Sequence, residues 1–185
     1  TLDYAINSLL ILSHIAFRMG DSLQIIAFSD HIIGQLPRLK GKGSIKKISG
    51  FITKLKPEYV ESNYDMIFNF LNKKIKKRSL VIFLSDMIDD INYTAFRKGL
   101  IHISRKHRTL FILLRDTLLS YHAEEKITSS DMLFAVAAAR DMFLKRSETI
   151  TKLRHQGADI IDILPHQLTG PLINRYLELK SKNRI

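Results

Sequence analysis

The chain has no cysteine and no tryptophan, only four prolines, and aromatic residues at 9% of its 185 positions. Lack of cysteine excludes structural disulfides, zinc–thiolate sites and thiol chemistry. No apolar stretch reaches the roughly 18 residues that a membrane-spanning helix needs; the longest runs from Met132 to Ala139. The start has no basic region followed by a hydrophobic block and a cleavage site, so no signal peptide is expected. The chain opens on Thr1 rather than Met, and we expect a cut in a longer protein. Acidic residues are the scarcer charge, 18 against 29 Lys and Arg, for a formal net charge of +11. That excess permits nucleic acid, an anionic membrane or an acidic partner and selects none of them.

What is present is ordinary for a globular protein: 45% hydrophobic and 25% charged residues. The length suits one domain, residues 1–185, with a core that needs no staples. Residues 2–19 place Leu2, Ala5, Ile6, Leu9, Leu10, Leu12, Ile15, Ala16 and Met19 at helical spacing, and Gly20 supplies a stop. The run 23–28 reads as a strand, and 32–36 as a second strand folded back on it. Pro37 to Gly43 reads as a basic loop. Its glycines and lysines lack the order of a phosphate-binding loop, so a solvated loop is the preferred reading. A helix follows over 44–55 with Ser44 as its N-cap, then a loop over 57–63 and an amphipathic helix over 64–77 that includes Ile75.

Residues 79–84 and 109–114 are nearly all apolar, as strands covered on both faces are. Helix is expected over 91–107, a looser stretch up to Thr128, and a long helix from Ser129 or Ser130 to His155, ended by Gly157. A last strand spans 159–164 and a last helix 169–180, with Pro171 allowed in its first turn. Strands alternating with helices predict an α/β fold, a doubly wound, mostly parallel sheet with helices on both faces.

Basic residues gather where helices end: Lys73, Lys74, Lys76, Lys77 and Arg78; Arg105, Lys106, His107 and Arg108; Lys152, Arg154 and His155. Polar and acidic groups follow the strands instead: Ser85, Asp86, Asp89 and Asp90, then Asp116. The preferred reading is helix chemistry, because cations near a helix C-terminus are stabilised by the partial negative charge there. Nucleic-acid binding by this basic rim is the competing reading, although no stacking aromatics are interleaved with the lysines.

In doubly wound sheets ligands bind outside the carboxyl ends of the strands. The residues to examine are therefore Ser85 and Asp86, Arg115 and Asp116, and Pro165 and His166. Oxygen-only ligation around Asp86 would suit Mg²⁺. An Asp after a strand is more often an N-cap for the next helix. The seven histidines are scattered; His14 reads as a core-edge residue, and His102 and His107 are on different helix faces. No serine, histidine and acid constellation suggests covalent catalysis, and a paired-carboxylate hydrolase is not supported.

Several phrases occur in a fixed order: Leu2-Asp3-Tyr4-Ala5-Ile6-Asn7, Gly20-Asp21 before Ile26-Ala27-Phe28-Ser29-Asp30, Leu36-Pro37, and Glu61 through Tyr64-Asp65. They continue with Arg78-Ser79-Leu80-Val81-Ile82-Phe83-Leu84-Ser85-Asp86, Leu113-Leu114-Arg115-Asp116 and Asn174-Arg175-Tyr176-Leu177-Glu178-Leu179-Lys180. In these the chain resembles the von Willebrand factor A-like domain of the bacterial domain-of-unknown-function 58 family. The resemblance implies a metal-ion-dependent adhesion site, in which Asp86 matches the Asp after the fourth strand. Ser62 takes the later-loop position, with Asn63 also available, and Ser85 adjoins Asp86. The first element of that site and the first strand would lie before Thr1. The resemblance places that strand between the strands around Ile25 and Val81, so an isolated chain is expected to be unstable or self-associating. It also implies an interaction and assembly module rather than an enzyme, partner of a MoxR-type AAA+ ATPase. The full-length protein would be anchored in the membrane upstream, with this domain on the cytoplasmic side of the bacterial inner membrane.

Overall fold

The computed structural model describes residues 2–58, 60–85, 90–124 and 130–182. It is a mixed α/β structure whose contacts divide it into two compact units, residues 1–77 with 166–185, and residues 78–165.

The first unit begins with helix α1 (Leu2–Arg18). Gly20 follows at φ 80°, a left-handed conformation that glycine adopts without steric cost. The fully buried stripe of α1 is Ser8, Leu12, Ser13, Ala16 and Phe17. Two serines thus sit where only apolar residues were expected, and Met19 is left 47% exposed. Burial of both serines is tolerable because both hydroxyls are bonded: Ser13 Oγ donates to Leu9 O at 2.7 Å, and Ser8 Oγ meets Thr169 Oγ1 at 2.7 Å. His14 is exposed rather than at the core edge.

Strands β1 (Ser22–Phe28) and β2 (Ile32–Lys40) form an antiparallel hairpin. β2 runs four residues past the expected strand, through Pro37, to Lys40. The register explains how: Ile25 faces Leu36 and Leu23 faces Leu39, so Pro37 and Arg38 together oppose Gln24. The proline sits at a bulge, where its missing N–H costs no ladder bond.

A 3₁₀ turn (Lys42–Ser44) leads into α2 (Ile45–Ile52). Ser44 occupies the cap position with helical dihedrals, and its side chain caps nothing. Its hydroxyl donates back to Lys40 O at 3.0 Å, because the 3₁₀ turn has already started the helical chain path. Phe17, Ile25, Ile48 and Ile52 form the core here, with Leu36, Leu39 and Phe51 packed against it.

Helix α3 (Tyr64–Lys74) starts where expected and ends three residues early. Ile75 is its C-cap, in extended conformation, not a member of its apolar face. The last helix, α7 (Thr169–Ser181), buries Leu172, Tyr176 and Leu179 and packs on α1.

The second unit carries three parallel strands in the order β3 (Leu80–Ser85), β4 (Arg108–Leu114) and β5 (Ile160–Ile163). β4 is central, and Leu110 to Leu114 are each at most 3% exposed, as a strand with neighbours on both sides requires. Val81 pairs with Thr109, and Phe83 pairs with Phe111; those two rings stack at 4.9 Å. Helix α4 (Asp90–Lys106) adds Phe96, edge-on to Phe111 at 5.1 Å, with Leu100 and Ile103 on the same stripe.

The stretch expected to be loose contains helix α5 (Thr117–Glu124), started by Asp116, whose Oδ1 accepts the Leu118 N–H at 2.7 Å. Helix α6 (Ser130–His155) then leads to Gly157, at φ 87°, and β5. Each strand that the resemblance sets beside a further strand has one partner among the described residues, β2 for β1 and β4 for β3.

Candidate functional site

The sequence directs attention first to the strand exits. Ser85 closes β3 and is half-buried. Asp86, the carboxylate on which the magnesium reading turns, lies outside the described residues, as does Asp89. Ser62 is half-buried in the loop before α3, within the first unit, whereas Ser85 belongs to the second. The neighbour of Ser62, Asn63, caps α3 through Oδ1, which accepts the Met66 N–H at 2.9 Å.

Mg²⁺ prefers one or two carboxylates with several retained waters. The described members of the implied set are two neutral hydroxyls. Without Asp86 they do not by themselves make a magnesium site. Asp116, the other acid at a strand exit, is committed to starting α5.

The tip of the β1–β2 hairpin gathers a group that the sequence did not single out. Ser29 is 5% exposed. Its Oγ lies 3.0 Å from Asp30 Oδ1, 3.3 Å from His31 Nδ1 and 2.5 Å from Glu58 Oε2. His31 Nδ1 is 2.6 Å from Asp30 Oδ1. Ligand atoms of Asp30, His31 and Glu58 all lie within 4.8 Å of one another. The hydrogen bond to Asp30 raises the His31 pKa above its ordinary value, and the same bond, then that from Ser29, lowers the Asp30 pKa. An imidazole with two carboxylates suits a first-row transition ion better than Mg²⁺. All three side chains are exposed, and the pair already satisfies its own charges. The separation of 27 positions between His31 and Glu58 hid this proximity from any local pattern.

The basic helix ends are where the sequence put them, with Lys73 and Lys74, Arg105 and Lys106, and Lys152, Arg154 and His155 in the last turns of α3, α4 and α6. Two of the cations nearby are tied into the fold. Arg108 Nη2 pairs with Asp159 Oδ2 at 3.0 Å, and Arg154 Nη2 donates to Ile160 O at 3.0 Å. His107 departs from the rim altogether. It is 4% exposed, and neither ring nitrogen has a hydrogen-bond partner. It is the single residue between α4 and β4, and its side chain turns inward. Burial, helped by the Lys106 charge, lowers its pKa.

Near the carboxyl ends of β4 and β5, Asp162 binds two guanidinium groups. Arg115 Nε donates to Oδ2 at 3.0 Å; Arg146 Nη2 and Nε donate to Oδ1 at 2.9 and 3.1 Å. Arg146 Nη2 also reaches Leu114 O at 3.4 Å. These groups line a cleft of about 470 Å³ together with Arg140, Phe143 and Leu144. The sequence marks Arg115 as a strand-exit residue; it does not mark Arg140 or Arg146. Their signal was available in the spacing along α6, where 140, 144 and 147 share one stripe and 143 and 146 the next.

No helix among the described residues is long and apolar enough to cross a membrane. No curated protein and no solved structure matches the chain. The family model described as "Protein of unknown function DUF58" matches residues 3–120. That span covers most of the α1–β4 framework and reaches into α5, and the chain belongs to this family.

Proposed function

We propose that this chain is a non-enzymatic interaction and assembly module of von Willebrand factor A-like design. Its partner in this reading is a MoxR-type AAA+ ATPase, met on the cytoplasmic side of the bacterial inner membrane, with a membrane anchor upstream in the longer protein. One observation carries the reading. The second unit presents large apolar side chains to solvent: Phe134 at 78% exposure, Leu118 at 71%, Leu144 at 65% and Tyr121 at 64%. Large apolar side chains left exposed on two helices, α5 and α6, are the kind of surface that a protein partner covers. The parallel β3–β4–β5 arrangement with intervening helices supports the von Willebrand A-like design.

Mixing the purified chain with a MoxR-type ATPase tests this directly. Size-exclusion chromatography with light scattering, in ATP and in ADP, is expected to show a complex in at least one nucleotide state. Separate elution in both overturns the reading. The adhesion-site component, Mg²⁺ held by Asp86 with Ser62 and Ser85, is tested on the longer protein by calorimetry. Asp86→Ala is expected to weaken Mg²⁺ binding, and unchanged affinity removes Asp86 from the site. Nucleic-acid binding by the basic helix ends is the alternative function. It predicts affinity that falls steeply with salt as counterions are released, and absence of binding to duplex or single strands at low salt ends it.

A further inference from the structure

We propose that Asp30, His31 and Glu58 form a binding site for a first-row transition ion, with Zn²⁺ the ion whose chemistry they fit best. The site shares no residue with the magnesium set Asp86, Ser62 and Ser85, and it stands independently of the interaction-module reading.

The charges point to a missing cation. Asp30 and Glu58 bracket a stretch, residues 32–57, that holds six lysines and Arg38 and no acid. Among the described residues neither carboxylate pairs with any of those cations. Asp30 pairs with His31, and the Glu58 carboxylate takes the Ser29 hydroxyl at 2.5 Å. Both acids thus turn toward one imidazole and one hydroxyl. Ser29 Oγ carries a single proton, and two carboxylate oxygens face it, Glu58 Oε2 and, at 3.0 Å, Asp30 Oδ1. A protonated His31 balances Asp30 and leaves the charge of Glu58 without a counterpart. A divalent ion supplies that counterpart. It takes the place of the His31 proton, which leaves to water, and the charges of ion, neutral ring and two carboxylates then sum to zero.

The ligand set selects the ion. One imidazole nitrogen and two carboxylate oxygens, with room left for water, suit Zn²⁺. Mg²⁺ takes oxygen ligands and gains nothing from the imidazole. The three ligand atoms already lie within 4.8 Å of one another, so small turns of exposed side chains bring them around one ion. The frame beneath them is fixed. Ser29 is 5% exposed; its N–H donates to His31 O at 2.9 Å, and its O accepts the Asn63 N–H at 2.9 Å. Its hydroxyl touches all three side chains, as the hydrogen-bonded supports of metal ligands do.

A hydrolytic reading of the same residues fails on geometry. In a Ser-His-Asp triad the serine and the aspartate bind opposite nitrogens of the ring. Here both approach Nδ1, and the buried Ser29 is closed to a substrate. The ion's role is instead to tie the hairpin tip to the loop before α3, so that its binding stabilises the first unit.

Calorimetry and thermal melts of the chelator-treated full chain with Zn²⁺ test this. The expected result is one ion per chain and a Tm that rises with Zn²⁺ concentration. Glu58→Gln and His31→Ala are each expected to weaken Zn²⁺ by about tenfold or more and to remove most of the Tm shift. Circular dichroism melts without metal confirm that both variants fold. Co²⁺ in place of Zn²⁺ is expected to give a visible absorption spectrum that Glu58→Gln alters, a signature that a merely structural role would not move. His14→Ala, which removes an exposed histidine elsewhere, is expected to leave Zn²⁺ affinity unchanged, and excess Mg²⁺ to displace no Zn²⁺. Absence of both heat and Tm shift, or an affinity unchanged in Glu58→Gln and His31→Ala, overturns the proposal. A loss in His14→Ala as large as in His31→Ala overturns it too, since the ion is then held by scattered surface histidines.

Discussion

The Tyr176 hydroxyl on α7 donates to Asp21 Oδ2, at the end of the turn that follows α1. Lys180, one helical turn further along α7, reaches the other oxygen of the same carboxylate. Two phrases far apart in the sequence, Gly20-Asp21 and Tyr176 to Lys180, therefore meet in one hydrogen-bonded cluster. Tyr176 is 4% exposed, and its burial, with the bond to Asp21, pushes the phenol pKa well above its ordinary value.

Removal of the acceptor should cost more than removal of the donor. Asp21→Ala leaves a buried hydroxyl unsatisfied, a loss of about 1–3 kcal/mol, whereas Tyr176→Phe removes the polar group itself and should cost about 1 kcal/mol. Chemical denaturation of both single variants and the double variant measures the coupling. Strictly additive effects would show that the two side chains do not act on each other.

His107 should make the protein acid-sensitive. Folding lowers its pKa below 6.5, so the unfolded chain takes up the proton first. The stability associated with the neutral ring is complete above 6.5 and is lost progressively as pH falls through the lowered value. His107→Leu, which removes two unpartnered buried nitrogens, should flatten this part of the pH–stability curve without destabilising the protein at pH 7. An identical curve for parent and variant would place the acid sensitivity elsewhere.

The Asp30–His31 pair gives the opposite sign at its basic end. Folding raises the His31 pKa above 6.5, so that contribution is complete below 6.5 and disappears as pH rises through the raised value. Folding lowers the Asp30 pKa below 3.8, so its contribution disappears as pH falls through that lowered value. Both side chains are more than half exposed, 62% and 59%, and salt should screen the effect. NMR titration should find His31 above 6.5, and Asp30→Asn should bring it back toward that value. A His31 midpoint unmoved by Asp30→Asn would break the assignment.

How much of the fold and the site is legible in the sequence differs by element, and the differences have causes. The apolar runs at 79–84 and 109–114 are strands because nothing polar interrupts them, and pairing of Phe83 with Phe111 follows. The helix ends are legible from the lysines and arginines that crowd them. Pro37 reads as a loop residue and cuts β2 short, since only the register against β1 shows that it falls at a bulge. His107 is hidden inside Arg105-Lys106-His107-Arg108, where composition says solvent and the tight helix-to-strand junction says core. The hairpin-tip group and the arginine cleft each join side chains from separate elements; spacing along α6 puts Arg140 and Arg146 on neighbouring stripes, but it does not encode that Arg115 and Asp162 line the same cleft. Asp86, the site residue most plainly marked by the sequence, lies outside the described residues.

Asp162 is the residue on which the arginine cleft depends. Its carboxylate is 16% exposed and Arg146 is 13% exposed, so neither charge can be handed to bulk water. Arg115, at 39%, is far more open, and water takes over much of its partner's role when the pair is broken. Asp162→Ala should therefore cost about 3 kcal/mol, because it strands the buried Arg146 charge, while Arg115→Ala should cost less than about 1 kcal/mol. The double variant Asp162→Leu with Arg146→Met should recover most of the loss, since replacing a buried ion pair with apolar groups of similar volume is often neutral or better. Thermal and urea denaturation of the set measures all three. A double variant as unstable as Asp162→Ala would show that the carboxylate stabilises β5 by some contact other than its bond to Arg146.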